Sequence, residues 1–487
     1  MTDQDLDGSH IKGLCVNFLS YLWPSLLEIP NFIGFMNTPI LKATKMNKSI
    51  SFYNNAEYEN WKQNNDNGKS YKIKYYKGLG TSTSKEFKEY FKEKKLIHFQ
   101  LQENDKVLID KIFNKSKADE RKNWLSGYDR DNCLNIKNTQ ISYNEFIDKE
   151  LIHFSKYYCY RSIPNLIDGL KISQRKILFS AFKKKLYSEI KVAQFSGYIS
   201  EQSGYHHGEA SLNGAIVNMA QDFVGSNNIN LFVPSGQFGT RLQGGKDHAS
   251  ERYIFTKLHN ISRGIFRAED DPILNYLDDD GLSVEPIFYT PIIPMVLVNG
   301  SVGIGTGFST NIPCFNPNEI IRYIKNHLQE HVENNITLSP YYRHFKGTIE
   351  HVDDMKYATN GNIVVKNDTL TITELPIGVL NEPYIVFLEK CLEEKKYGLK
   401  DYKDLSTDKD IQITLKFDND INLDNKQTLH NICQKFKLSS NISLTNMYLF
   451  DENEKLKHYV SVYEIIEDFV ETQLTVSYTH LTLPTKA

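Results

Sequence analysis

Residues 161–191, RSIPNLIDGLKISQRKILFSAFKKKLYSEIK, carry eight basic side chains (Arg161, Lys171, Arg175, Lys176, Lys183, Lys184, Lys185 and Lys191) against Asp168 and Glu189, a local charge of +6. Within this stretch SQRKILFSAFKKK predicts a helix that Ser173 can cap, with Ile177, Leu178, Ala181 and Phe182 forming one buried stripe. A short basic helix on a small domain is the electrostatic footprint of nucleic-acid binding. A solvated charged face is the plain alternative, and the run by itself does not choose.

The chain around it is ordinary in composition. At 487 residues, 40% hydrophobic and 12% aromatic, it is long enough for roughly three domains with sizeable cores. Its net charge of −3 conceals the basic patch. The longest clean apolar run, Met295–Val298, is far short of the roughly 20 residues of a membrane span, and no secretory pattern opens the chain. Cys15, Cys133, Cys159, Cys314, Cys391 and Cys433 include no CxxC pair, so neither a disulfide framework nor a zinc site is written here.

Residues 1 to about 125 read as α/β. SYKIKYYKGLG alternates Tyr71, Ile73 and Tyr75 as a strand feeding a glycine turn, and SKEFKEYFKEKK follows as a helix with a charged face. Asn114–Asp131 is polar and reads as a helix with a connector. From 161 to about 265 short amphipathic helices alternate with glycines and histidines. From 266 to 460 the chain turns β-rich, with TPIIPMVLVNG, GNIVVKNDTLTITELP and DIQITLKF as strands. VSVYEIIEDFVETQL then begins a helix.

Several motifs carry possible chemistry. Asp3, Asp5, Asp7 and Gly8 match half of a calcium loop, but its twelfth position is Leu14 and no entering helix precedes it. The alternative is a strand end whose alternating carboxylates share one face and hold Mg²⁺; an accidental acidic turn stays open. Lys77 in YYKGLGTSTS could approach phosphate, or mark a structural turn. Gly300, Gly303, Gly305 and Gly307 miss the dinucleotide-loop spacing, and Ile304 among them is either a wedge between base pairs or a buried anchor. In SGYHHGEAS, the adjacent His206 and His207 point differently, which argues against a shared metal and for phosphate contacts. LDDDG, 277–281, reads as a solvated loop. Arg241, Lys246, Arg252 and Lys257 surround Tyr253 with cationic charge in which a phenol could act on a phosphodiester; a packed tyrosine is the bland reading.

Together and in this order, these motifs resemble the breakage and reunion core of type IIA DNA topoisomerases, the eukaryotic single-chain form in particular. MTDQDLDGSHIKG is similar to the acidic motif of the TOPRIM domain and YYKGLGTSTSKE to its end. RSIPNLIDGLKISQRKIL and YHHGEASL resemble the winged-helix domain. GQFGTRLQGGKD through RYIFTKL resembles the loop of the nucleophilic tyrosine, and IPMVLVNGSVGIGTGFS the segment that bends the gate DNA. The resemblance covers roughly residues 1 to 475.

It implies a multidomain α/β and α+β fold: a partial, Rossmann-like TOPRIM domain at 1–125, a connector at 126–160, a winged-helix domain at 161–265, a β-rich tower domain at 266–460 and the start of a coiled coil at 461–475. It also implies a transient double-strand break in duplex DNA through a 5′-phosphotyrosine link. Tyr253 would be the nucleophile and Arg252 the cation beside it. Asp3, Asp5 and Asp7 would hold Mg²⁺. Arg161, Lys171, Arg175 and Lys176 would clamp the DNA backbone, with Lys77, Tyr205, His207 and Ser211 on the same surface and Ile304 as the wedge. The working form would be a homodimer with no membrane partner, driven by ATP at a domain outside this chain. A non-catalytic winged-helix DNA-binding protein, a TOPRIM nuclease or primase, and an inactive fragment are the competing expectations. The family's acidic motif is preceded by further domains and a glutamate-bearing strand, so Met1 reads as an internal methionine. VSYTHLTLPTKA, 476–487, reads as an adapter-derived tail. Glu251 and Ile172 stand where the family usually has proline. The place of work is expected to be the nucleus of a eukaryote or the replication site of a large DNA virus.

Overall fold

Asp5 opens a helix, Leu6–Leu22, by accepting the Gly8 N–H at 2.7 Å, and Asp7 lies in its first turn. The strand end expected for the acidic motif is therefore corrected over its described part. A carboxylate at this position satisfies an amide that the first helical turn leaves without a partner, and helix formation follows. The computed structural model describes residues 2, 5–46, 48–76, 78–135, 138–279, 281–329, 336–366, 369–418 and 423–482. Asp3 and Lys77 lie outside them.

Two compact units result: Met1–Ser162 with Ile304–Phe308, and Ile163–Gly303 with Ser309–Ala487. In the first, Leu96–Gln100 pairs antiparallel with Gly34–Met36 and parallel with Gln140–Ser142. A second sheet places Leu41–Lys45 between Lys48–Phe52 and Lys72–Tyr75, as the alternation of Tyr71, Ile73 and Tyr75 predicts. Alternate residues Ile97 and Phe99 point inward, where Phe99 stacks on Tyr143 with ring centroids 4.6 Å apart. The helix predicted in SKEFKEYFKEKK is Ser84–Glu93, held at its start by a reciprocal capping box between Thr83 and Glu86. The one predicted in the polar stretch is Ala118–Ser126.

Among its described residues the second unit holds two apolar cores. One forms around the helices Ile172–Lys184, Val192–Ser203 and Glu209–Ala220. The predicted stripe is buried: Ile177, Leu178 and Ala181 are fully enclosed and Phe182 nearly so. The cap differs from expectation. The helix starts at Ile172, and the Lys171 N–H donates to Gln174 Oε1 at 2.9 Å, so Ser173 lies inside the first turn. The second core underlies the antiparallel sheet ordered Asn362–Lys366, Thr369–Glu374, Ile413–Phe417, Leu399–Asp404. Another sheet joins Thr348–Asp353, Lys356–Asn360 and Ser439–Ser443.

Two further expectations are corrected. TPIIPMVLVNG contains a helical turn, Met295–Asn299, and not a strand. Met295 through Val298 are buried on all sides, a condition under which an apolar run has no period to reveal. Gly169, at φ +69°, makes the close approach here: a Cβ on it would fall 2.4 Å from the Val296 nitrogen. The acidic LDDDG segment is a hairpin, Tyr276–Asp279 against Leu282–Pro286, closed through Gly281 at φ +83°; Asp280 lies outside the described residues. The C-terminal helix runs Val462–Thr482, through the start of the stretch read as a foreign tail.

Candidate functional site

The segment leading to Tyr253 is held residue by residue. Thr240 donates its N–H to Asp247 Oδ1 at 2.9 Å and its hydroxyl to Oδ2 at 2.6 Å. Gly245 N–H reaches the Thr240 carbonyl at 2.8 Å, and Ala249 N–H the Gln237 carbonyl at 2.9 Å. Beneath them the buried Gln221 amide donates to the carbonyls of Phe238 (2.8 Å) and Gly245 (3.2 Å). Burial alone would raise the Asp247 carboxyl, but the hydrogen bonds from Thr240 outweigh it and hold its pKa below the usual range. Gly239, at φ +92°, is required: a Cβ there would lie 2.5 Å from the Gly245 carbonyl oxygen.

Tyr253 sits on a turn, its N–H bonded to the Ser250 carbonyl at 2.9 Å. The next residue, Ile254, is buried, and its carbonyl accepts the Val192 N–H at 3.1 Å. Phe255–Thr256 then pairs with Ile190–Lys191. With its backbone anchored on both sides, Tyr253 itself is 69% exposed. Arg252 is exposed beside it, its guanidinium carbon 5.5 Å from the ring centroid and its Nε donating to Ser250 Oγ at 3.2 Å. Lys246 is also exposed. Arg241 departs from the expected cationic surround: it turns inward, where it pairs with Glu374.

The expected DNA contacts divide into exposed and interior groups. Ile304 is 70% exposed and Ser211 is exposed in the first turn of its helix, while Tyr205 and His207 are half-buried with rings edge to face at 5.3 Å. Arg175 corrects the clamp expectation. It is buried, with Nε and NH2 on the two Asp168 oxygens at 2.6 and 3.0 Å, so its charge is neutralised inside the fold. Lys176 likewise donates to Ser203 O at 2.5 Å and Glu285 Oε2 at 2.8 Å. Lys171 donates to the Val302 carbonyl at 2.7 Å, and burial pushes its pKa down. In the first unit Arg161 NH1 pairs with Asp7 Oδ1 at 3.1 Å.

Sequence reasoning missed the acidic partners, and one of them carries a signal. Along Thr369–Glu374 burial alternates, which puts Glu374 on the inward face with Leu370 and Ile372. A carboxylate on that face calls for a buried cation.

The acidic motif fits a hard cation in donor chemistry. Mg²⁺ takes oxygen ligands and is held by one or two carboxylates with water and phosphate oxygens, and Asp5 and Asp7 bring two carboxylates to one helix start. Among the described residues no group of three or more His, Cys, Asp or Glu forms a protein-only metal site, and none of their helices is long and apolar enough to cross a membrane.

Comparison with known proteins places the chain in a family. The family model for the A-type chain of DNA gyrase/topoisomerase IV matches residues 161–485, and that of the C-terminal associated domain of TOPRIM matches 36–159. The chain is 47% identical over 481 residues to a DNA topoisomerase 2 of Plasmodium falciparum, covering 97% of this chain and 34% of the relative. It is 43% identical over 498 residues to human DNA topoisomerase 2-alpha, covering 97% and 32%. The chain thus spans about a third of the length of these curated relatives. The crystal structure of the Plasmodium falciparum topoisomerase II DNA-binding, cleavage and re-ligation domain superposes with a TM-score of 0.82 at 46% identity, over 99% of this chain and 66% of that one.

Proposed function

Because the chain belongs to the DNA gyrase/topoisomerase IV family, we propose that it is the duplex-breaking and resealing core of a type II DNA topoisomerase on the eukaryotic single-chain plan. In this reading residues 1–125 are the TOPRIM part, 126–160 a connector, 161–265 the winged-helix domain, 266–460 the tower and 461 onward the start of a coiled coil. The observation that carries it is the Tyr253 phenol, exposed on an anchored turn with Arg252 beside it.

The Tyr253 oxygen attacks a backbone phosphorus and its proton leaves to solvent; the phosphorus–3′-oxygen bond breaks as the phosphotyrosine ester forms, and the departing 3′ oxygen takes a proton from solvent to become a hydroxyl. One phosphodiester is exchanged for another, so the reverse attack reseals the strand without further energy input. Arg252 offsets charge on the phosphoryl oxygens as the bond changes hands. Asp3, Asp5 and Asp7 would hold Mg²⁺, which when bound supplies Lewis-acid stabilisation of phosphate oxygens. Ile304 is the wedge, and Tyr205, His207 and Ser211 meet the backbone. Two copies of the chain cut the two strands, and ATP-driven passage belongs to parts of the relatives that this chain does not span. The place of work is wherever duplex DNA is kept: the nucleus, or mitochondria as one relative's name states.

Digesting trapped protein–DNA adducts with protease and nuclease, then mapping the nucleotide-bearing peptide by mass spectrometry, tests this reading. The modified residue is expected to be Tyr253. A modification elsewhere would remove Tyr253 as the nucleophile, and no modified peptide at all would favour a non-catalytic winged-helix binder.

A further inference from the structure

Arg241, twelve residues before Tyr253, is 5% exposed and Glu374 is 2% exposed. The guanidinium pairs through NH1 with Glu374 Oε1 and through NH2 donates to the Leu375 carbonyl at 2.7 Å. Glu374 is held in turn by the N–H groups of Leu375 (2.9 Å to Oε1) and Lys346 (3.1 Å to Oε2). The same seam continues where the Glu382 N–H meets the Leu242 carbonyl at 3.1 Å and the Gln243 amide meets Glu382 Oε1 at 2.9 Å. On its other side the loop rests on Gln221 of the helical core. The segment is thereby gripped between the two cores of its unit.

Taking Tyr253 as the nucleophile, as argued above, we propose that Arg241 and Glu374 are a positioning pair that ties the tyrosine loop to the sheet-bearing second core. An apolar pair could fill this space. A guanidinium engaging both a carboxylate and a carbonyl also fixes direction, because its planar donors accept only one arrangement of partners. Through Thr240–Asp247 and Gln237–Ala249 that restraint reaches the turn at Ser250, onto which Tyr253 folds. The second core thus sets where the phenol stands.

Hydrogen exchange on the chain without DNA reads the restraint directly, and single-turnover adduct formation reads its effect on chemistry. Arg241→Met is expected to speed amide exchange across 240–249 by about tenfold or more. The double variant Arg241→Met/Glu374→Met leaves no buried charge alone, so its thermal midpoint is expected to return towards that of the parent. Its loop exchange stays fast, and its adduct formation stays slower by on the order of a hundredfold, with DNA affinity unchanged. If exchange and adduct rate recover together with thermal stability in the double variant, the pair is merely structural and the proposal is overturned. Unchanged loop exchange in Arg241→Met overturns it equally, and should that variant fail to fold the double variant decides. Adducts that survive Tyr253→Phe would instead remove the nucleophile reading, with the exchange result still deciding whether the pair fixes the loop.

Discussion

Arg175 and Asp168 form a bidentate pair inside the helical core, in the stretch whose surplus of positive charge first suggests nucleic-acid binding. Asp168 also accepts the N–H groups of Leu170 at 2.9 Å and Tyr289 at 3.0 Å, so it joins the start of the basic helix to a distant segment. Arg175→Met strands that carboxylate and is expected to cost about 3–5 kcal/mol in urea unfolding. The salt dependence of DNA binding by the folded fraction should not change. A backbone clamp would behave in the opposite way, lowering the slope of log affinity against log salt by about one with little loss of stability.

Glu86 gives a pH test confined to the first unit. Its carboxylate accepts from Tyr76 OH at 2.5 Å, Lys74 Nζ at 2.9 Å and the Thr83 N–H at 2.7 Å. Burial alone would raise its pKa, but these bonds outweigh it and hold the group at about 2. Its folded pKa is depressed, so the stabilisation is present above the unfolded value near 4.5 and is lost as pH falls towards 2. Glu86→Gln should therefore lower stability by on the order of 1 kcal/mol at neutral pH, because solvent around the group screens part of the shift. The gap to the parent should close between about pH 4.5 and 2 in denaturant titrations; a pH-independent gap would contradict this.

Ile304 is 70% exposed, so Ile304→Ala removes little burial and is expected to change unfolding stability by under about 0.5 kcal/mol. As a wedge it should matter on DNA. Energy transfer between dyes at the ends of a short duplex is expected to report a smaller bend for the variant. An unchanged bend would return Ile304 to an ordinary surface residue.

Gly239 tests the loop backbone. Gly239→Ala places a methyl 2.5 Å from the Gly245 carbonyl oxygen at φ +92°, so the Thr240–Gly245 turn must open. Adduct formation is expected to fall at least about tenfold, while the far-ultraviolet spectrum stays unchanged. Parent-like adduct yield would show that the turn does not set the tyrosine's position.

Much of the architecture is legible in the sequence where one face is buried and the other wet. Thr369–Glu374 alternates, Ile177 to Phe182 share a stripe, and Thr83 with Glu86 spells a capping box. Met295–Val298 defeats that reading because all its sides are buried, and Asp5 because helix capping and metal binding use the same short carboxylates. Of the candidate site, Tyr253 and Arg252 are singled out by motif, and both side chains are exposed. The inward turns of Arg175, Lys176 and Arg241 are not legible. Each meets an acidic partner far along the chain or across a turn, and a count of charges cannot show which cations the fold neutralises.

The most direct test of the central claim compares the protein with its Tyr253→Phe variant on duplex DNA and Mg²⁺, quenching with detergent and counting DNA covalently attached to protein. The parent is expected to yield adducts linked to 5′ ends, and the variant none at equal DNA affinity. Adducts at parent levels from Tyr253→Phe would contradict the account.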